Sequence, residues 1–183
     1  MQPTLTHRRC AAVLFADICG FTRMVETLEP ETVYETVRPL LDDLVDCVHR
    51  YDGEIQQVLG DGFMAVFGLH GSEGDEVERA VQAGLAMLHG TGGGGLAVHV
   101  GVEVGDVLVT GSWEPACFGV WGHAVNLAQR LCDLAGPGEL MVGPAAATRA
   151  GRGMDRASTA VLRPRGIDHP VAAQRLTAEL IAA

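Results

Sequence analysis

Two aspartates, Asp17 and Asp61, lie in surroundings that suit the binding of a phosphate through a metal ion. Residues 11–15 are all apolar without alternation, which predicts a strand buried on both faces. Asp17 follows where that strand leaves the core, and Gly20 permits a tight turn whose N–H groups point at one anion. A carboxylate beside such a turn suits a metal-bound phosphate, because the metal bridges the carboxylate to phosphate oxygens.

The second aspartate lies between two apolar runs within residues 55–68. The Gly60-Asp61-Gly62 sequence between these runs is a strong signal for a β-hairpin. If the hairpin pairs with the first strand, Asp61 and Asp17 converge on the same metal ions. The alternative, from the residues alone, is that each aspartate only caps a turn or a helix.

Four sequence blocks resemble the class III nucleotidyl cyclase catalytic domain. The first two, FADICGFT (residues 15–22) and GDGFMAVFG (residues 60–68), surround the two aspartates. GHAVNLAQRL (residues 122–131) is similar to the family's Val-Asn-x-Ala-x-Arg helix, and LRPRG (residues 162–166) is similar to its late basic-glycine strand. The blocks occur in the family's order, and the resemblance extends over most of the chain.

The resemblance implies attack of a ribose 3′-hydroxyl on the α-phosphorus with loss of pyrophosphate, assisted by two divalent ions, Mg2+ or Mn2+. The implied metal ligands are Asp17, Asp61 and the carbonyl oxygen of Ile18. The implied phosphate ligands are the N–H groups of the turn and one late basic side chain, namely Cys19, Gly20, Phe21, Thr22 and Arg165.

The helix of the third block is implied to complete the site. Asn126 and Arg130 are four residues apart and therefore share one helical face. In the family such residues orient the ribose and neutralise charge in the transition state. They reach in from the second subunit, as Arg165 does, so we expect a head-to-tail homodimer with shared sites.

The expected base pocket departs from the family pattern. Adenylate-specific relatives carry a Lys where this chain has Gln57, and an Asp or Thr where it has Gly119. Gln57 can donate and accept, so it fits either purine edge, whereas Gly119 offers no side chain. We expect ATP as the substrate because the Glu that usually marks guanylate cyclases is absent. GTP, both purines, or a weakly active regulatory module that binds nucleotide remain open.

Composition and charge argue against several other classes of function. At 183 residues the chain is long enough for one domain with its own core. A net charge of -10 without any Lys/Arg run argues against a nucleic acid or an anionic membrane as partner. No apolar stretch approaches the roughly 18 residues of a membrane span, and no signal peptide opens the chain. Five cysteines without Cys-x-x-Cys spacing indicate reduced thiols, so the cytoplasm is the expected compartment.

The order of expected elements indicates an α+β sandwich, with helices covering one sheet. The resemblance adds a ferredoxin-like core with extra hairpins. Residues 1–8 are expected to form a loose tail, residues 9–177 the cyclase catalytic domain, and residues 178–183 a second tail. A glycine-rich linker is expected at residues 91–95 and a connector at residues 113–119.

Three local expectations concern the elements that position the site. A long helix is expected to begin at Pro30 and to kink or break at Pro39. The strict alternation of residues 96–104 predicts a strand with one buried face and one exposed face. Residues 105–106 are expected to turn the chain into a second hairpin.

Overall fold

The structure is a computed structural model that describes residues 5–71, 74–90, 95–111 and 119–177. Most of the expected glycine linker and connector, the first residues of the chain and the expected C-terminal tail lie outside these ranges. The secondary structure and the site are therefore reported for the described ranges alone.

The described residues form one mixed sheet with helices packed on it. The strands are β1 (Leu5–Ile18), β2 (Glu54–Val58), β3 (Gly62–Phe67), β4 (Val98–Gly111), β5 (Gly119–Trp121), β6 (Glu139–Val142), β7 (Ser158–Leu162) and β8 (Val171–Thr177). The helices are α1 (Phe21–Thr27), α2 (Pro30–Arg50), α3 (Glu76–Gly90), α4 (His123–Leu134) and α5 (Pro144–Arg149), with a 3-10 helix at Gly151–Met154. The strand order is β2-β3-β1-β4-β6-β8-β7, and β5 pairs with β4. Among the described strands only β4 and β6 pair in parallel, so the expected α+β class is confirmed.

Strand β1 lies inside the sheet between β3 and β4, and its residues 11–15 are buried on both faces as predicted. Leu14 packs into the core under α2 and α3, while Val13 packs on the opposite face toward α4. The strand begins at Leu5 and so includes residues that the sequence assigns to a loose tail. Side chains 6–10 are exposed, so hydrophobicity gives no signal there, and backbone pairing with β4 holds this part of the strand.

Helix α2 begins with Pro30 in its first turn, as predicted, but continues unbroken past Pro39. The expectation of a break is therefore wrong. Pro39 is exposed, so water can bind the carbonyl group that loses its helical partner. Val37 and Leu44 stay buried on the opposite face and hold the helix to the core. None of the helices in the described ranges is long and apolar enough to cross a lipid bilayer.

Strand β4 differs from expectation in two ways. It runs without a turn and pairs with the whole of β1, so the expected hairpin at residues 105–106 is wrong. The face expected to be exposed is instead covered by α4. A Cβ atom at Gly101 would collide with the backbone of α4 at Ala128 and Cys132, so glycine lets this helix lie directly on the sheet.

The covered face also carries Glu103, which is only 2% exposed. Its Oε1 accepts hydrogen bonds from the N–H groups of Val104 and Ala146, each at 2.8 Å. Ala146 lies in the first turn of α5, and the residue before this helix, Gly143, has no side chain to cap it. Glu103 therefore supplies from β4 the cap that α5 lacks locally. Burial raises the pKa of Glu103, although these hydrogen bonds oppose the shift.

Replacing Glu103 by alanine is expected to destabilise the fold, because two buried N–H groups lose their acceptor. We expect the free energy of unfolding, measured by urea denaturation at pH 7, to fall by about 2 kcal/mol. Glu35→Ala, at an exposed position of α2, is the matched control and should change it by less than about 0.5 kcal/mol. Equal losses in the two variants would contradict the capping role.

Candidate active site

The two aspartates converge at the end of β1. Asp17 lies opposite Gly62 of β3 in the antiparallel register, and Asp61 precedes that glycine in the hairpin turn. A Cβ atom on Gly62 would lie 2.5 Å from the carbonyl oxygen of Ala16 and 2.7 Å from Oδ1 of Asp17. The lack of a side chain at Gly62 therefore lets the hairpin bring Asp61 into hydrogen-bonding reach of Asp17.

The ionisation of this pair reflects its neighbours. Burial and then the charge of Asp17 raise the pKa of Asp61 to about 6. A hydrogen bond from His99 lowers the pKa of Asp17, although partial burial opposes the shift. His99 donates from Nε2 to Oδ2 of Asp17 at 3.2 Å and from Nδ1 to the carbonyl oxygen of Ala135 at 3.1 Å. Both partners are acceptors, which favours the doubly protonated ring, and the hydrogen bond to Asp17 raises the pKa of His99.

The donor set suits a hard divalent cation. Two carboxylates that repel each other gain from a cation between them, and Mg2+ and Mn2+ prefer carboxylate and carbonyl oxygens. The carbonyl group of Ile18 follows Asp17 directly, at the last residue of β1. Among the described residues, no three His, Cys, Asp or Glu side chains form a group that could hold a metal ion. Two carboxylates and the carbonyl group of Ile18 fit an ion that would take its further ligands from substrate and water.

The turn after β1 presents backbone donors. Gly20, with a φ of 80°, precedes α1, and no described side chain caps this helix. The N–H groups of Phe21 and Thr22 lie in the first turn, where an α-helix has no acceptors for them. The N–H group of Cys19 instead donates to the carbonyl oxygen of Ala97 at 2.9 Å. Within the expected phosphate-binding turn, Cys19 is therefore engaged in the fold, while Phe21 and Thr22 present their donors.

A cavity of about 810 Å³ opens between the β2–β3 hairpin, β5 and α4. Three residues expected from the sequence to contact the nucleotide line it, namely Gln57, Gly119 and Asn126. Phe15 and Trp121 add aromatic surface to the lining. Apolar rings combined with a few amide groups are the composition expected of a site for a flat heterocyclic ligand.

The remaining predicted site residues lie outside this cavity. Arg130 lies farther along α4, where its guanidinium group donates to Oδ2 of Asp133 at 2.9 Å. Arg165 is exposed between β7 and β8, at the edge of the sheet opposite β2. The lining of the cavity includes neither Asp17 nor Asp61. One chain therefore holds the predicted metal ligands and the predicted base and ribose residues as two separate sets.

Two side chains beside these sets were not expected from the sequence. His99 and Asp17 are 82 residues apart, and only the pairing of β4 with β1 brings them together. In the sequence, His99 is a polar residue between two valines. This pattern predicts a side chain on the exposed face of a strand and gives no indication of a contact with Asp17. Trp121 lies two residues after Gly119 on β5, and no spacing rule marks it as a site residue.

Comparisons with known proteins show the family to which the chain belongs. Residues 5–160 match the family model described as the adenylate and guanylate cyclase catalytic domain. An adenylate cyclase of Mycobacterium bovis is 30% identical over 140 residues, which cover 72% of this chain and 31% of the relative. The chain thus spans about a third of the length of the first curated relatives that it matches.

Solved structures show the same fold. The guanylyl cyclase Cya2 superposes with a TM-score of 0.81 at 28% identity, over 92% of each chain. The adenylyl cyclase CyaB from P. aeruginosa superposes with a TM-score of 0.80 over 94% of this chain and 96% of that chain. Its 24% identity shows similarity of fold alone. This chain belongs to the adenylate and guanylate cyclase catalytic domain family, and the class III cyclase prediction is confirmed.

Asp61→Asn is expected to raise the melting temperature of the metal-free protein at pH 7.5, because it removes a half-buried carboxylate that Asp17 repels. The pKa of Asp61 is about 6 in the folded chain, well above the 3.8 of an unperturbed carboxyl group. Between about pH 4 and about pH 6 the unfolded chain therefore binds fewer protons at this group than the folded chain does. The contribution of Asp61 to the free energy of unfolding falls as the pH rises through this range.

The measurement is thermal unfolding at pH 4, 6 and 7.5, with Asp43→Asn on the exposed side of α2 as control. We also expect millimolar Mn2+ to raise the melting temperature of the wild type more than that of Asp61→Asn. A variant that is less stable than the wild type at pH 7.5 and keeps the same pH dependence would contradict the repulsion.

Proposed function

We propose that this chain is an adenylate cyclase that converts ATP to 3′,5′-cyclic AMP and pyrophosphate at sites shared by two copies of the chain. The observation that carries the proposal is the division of the site residues into two sets. The pair Asp17 and Asp61 lies outside the cavity, and none of the described residues that line the cavity with Gln57 and Asn126 is acidic. A two-fold dimer would place the carboxylates of each copy beside the cavity of the other, which completes two sites.

The first set would act on the phosphates. Asp17, Asp61 and the carbonyl oxygen of Ile18 would hold the metal ions. Two Mg2+ or Mn2+ ions, when bound, lower the pKa of the ribose 3′-hydroxyl and balance the charge of the triphosphate. The N–H groups of Phe21 and Thr22 donate to phosphate oxygens at the start of α1.

The second copy would supply the groups that orient the nucleotide and stabilise developing charge. Asn126 donates to or accepts from the ribose, and Arg130 places a positive charge where charge builds up on the phosphoryl oxygens. Arg165 grips the terminal phosphates through its planar fork of donors. Arg130 can leave its ion pair with Asp133 to reach the phosphoryl oxygens. This ion pair is partly exposed, and such a pair contributes less than about 1 kcal/mol.

The choice of ATP is supported by the side chain of Gln57 and by the curated relatives. The amide of Gln57 can donate to N1 of adenine and accept from its 6-amino group. Relatives named adenylate cyclases are 30% identical to this chain. The same amide also fits guanine, and the guanylyl cyclase Cya2 is 28% identical, so use of GTP or of both purines is the second candidate.

The thiols support the cytoplasm as the compartment that we propose. The cysteines in the described ranges are all free, namely Cys10, Cys19, Cys47 and Cys132. Burial raises the pKa of Cys19 and that of Cys47, so these thiols stay protonated at neutral pH. Unpaired cysteines of this kind are typical of proteins that work in a reducing compartment.

The direct test is cyclic nucleotide formation from ATP and from GTP with Mg2+ or Mn2+. Asp17→Ala is expected to lose activity by about 100-fold or more, since loss of a metal ligand should exceed the loss of an outer-shell partner. Asp43→Ala, an equivalent change on the exposed side of α2, should retain activity. No product from either nucleotide, from protein shown to be dimeric, would favour the regulatory module instead.

Shared sites are tested by mixing two inactive variants. Asp17→Ala has an intact cavity and Asn126→Ala has an intact carboxylate pair, so a mixed dimer holds one complete site. Random exchange makes about half of the dimers mixed, each with one of two sites intact, so we expect about a quarter of wild-type activity. Inactive mixed dimers, purified through two different tags, would rule out sharing of the site between subunits.

A further inference from the structure

The side-chain space that Gly119 leaves open is occupied by Trp121. Both residues belong to β5, in which positions two apart face the same side of the sheet. A Cβ atom on Gly119 would lie 2.6 Å from Nε1 of Trp121 and 3.2 Å from Cε2. The polar edge of the indole therefore lies where a side chain at position 119 would project.

Trp121 has the surroundings of a ligand contact and not those of a core residue. It is 66% exposed although it is one of the largest apolar side chains of the chain. It lines the same cavity as Gln57 and Asn126, with Phe15 and Met64 as apolar neighbours in the lining. An exposed aromatic ring with a polar edge, in a cavity lined by amides, is suited to a flat ligand that also accepts a hydrogen bond.

We propose that Trp121 is a base-recognition residue whose indole N–H donates to the 6-oxo oxygen of guanine, so that the site accepts GTP as well as ATP. The inference rests on the proposed function and favours its second candidate, the use of both purines, because it names a residue that reads the base in the same cavity. It assigns to Trp121 the role that position 119 cannot perform without a side chain.

The chemistry of the indole N–H determines the direction of the selectivity. Nε1 of tryptophan is a donor only. Guanine presents an oxygen at C6, which accepts, whereas adenine presents an amino group whose hydrogens need an acceptor. The N–H of Trp121 can therefore pair with the guanine oxygen and gains nothing from the adenine amino group.

Gln57 supplies the other half of the recognition. Its amide can accept from the N1–H of guanine or donate to N1 of adenine, according to its orientation. In guanine, O6 then accepts a hydrogen bond from the N–H of Trp121, and N1–H donates to the amide of Gln57. Adenine pairs with Gln57 alone, so the cavity is expected to bind both purines with a contribution from Trp121 only for guanine.

The test compares kcat/KM for GTP with kcat/KM for ATP in Trp121→Phe, which keeps an aromatic ring and removes the N–H donor. We expect the GTP:ATP ratio to fall by about 3-fold to about 10-fold, the effect of one lost hydrogen bond. Tyr34→Phe removes a hydroxyl group from an exposed ring on α2, outside the cavity, and should leave the ratio unchanged.

Two results would overturn the proposal. The first is an unchanged GTP:ATP ratio in Trp121→Phe. The second is that Trp121→Ala lowers activity equally with both nucleotides while Trp121→Phe has no effect, which would show a packing or stacking role without base reading. Sedimentation of each variant checks that dimer formation is preserved.

A binding measurement separates this inference from the cyclase activity itself. Trp113 is the other tryptophan of the chain, so Trp113→Phe leaves Trp121 as the single indole fluorophore. The probes are 3′-deoxy-GTP and 3′-deoxy-ATP with Mn2+, which lack the attacking hydroxyl group and cannot cyclise. We expect both to quench Trp121, and 3′-deoxy-GTP to bind more weakly to Trp121→Phe in calorimetry.

The outcomes distinguish the two proposals. Quenching by 3′-deoxy-GTP with no cyclic product from any triphosphate would overturn the cyclase activity and keep Trp121 in the nucleotide site. Cyclic product without quenching, and without a change of the GTP:ATP ratio in Trp121→Phe, would overturn the role of Trp121 and keep the cyclase.

Discussion

The antiparallel pairing of β1 with β4 along the whole of β1 is the constraint on which the rest of the structure depends. This register places Asp17 opposite His99 and, through the other edge of β1, opposite Gly62. A slip of one residue would turn the side chain of Asp17 to the opposite face, into the core under α2 and α3. The apolar residues of β1, buried on both faces, therefore determine where the candidate metal ligands lie.

The same register imposes an electrostatic cost. Asp17 and Asp61 are brought together by backbone pairing and by the bare backbone of Gly62, not by mutual attraction. The hydrogen bond from His99 lowers the pKa of Asp17, whereas burial and then the charge of Asp17 raise the pKa of Asp61. The repulsion between the carboxylates of Asp17 and Asp61 would be relieved by a cation, so the site is suited to bind one. Because the cavity lined by Gln57 and Asn126 does not include this pair, completing the site by a second copy is the arrangement that we propose.

The sequence by itself determined the elements whose signals are local. The apolar run of β1, the hairpin around Asp61 and the helix that carries Asn126 were all predicted near their observed positions. Their side-chain pattern and turn chemistry lie within one segment, so neighbouring residues are sufficient to specify them. The four sequence blocks also identified the family, and the convergence of Asp17 with Asp61 followed once the hairpin was placed beside β1.

Only the tertiary structure decided which surfaces other elements cover and which distant residues meet. The alternation in β4 predicts an exposed face, but α4 covers it and buries Glu103, since Gly101 allows the helix to lie on the sheet. His99 reaches Asp17 through strand register, and Trp121 fills the space over Gly119 through the direction of its side chain. Such contacts depend on packing between segments far apart in the chain, and periodicity within one segment carries no information about them.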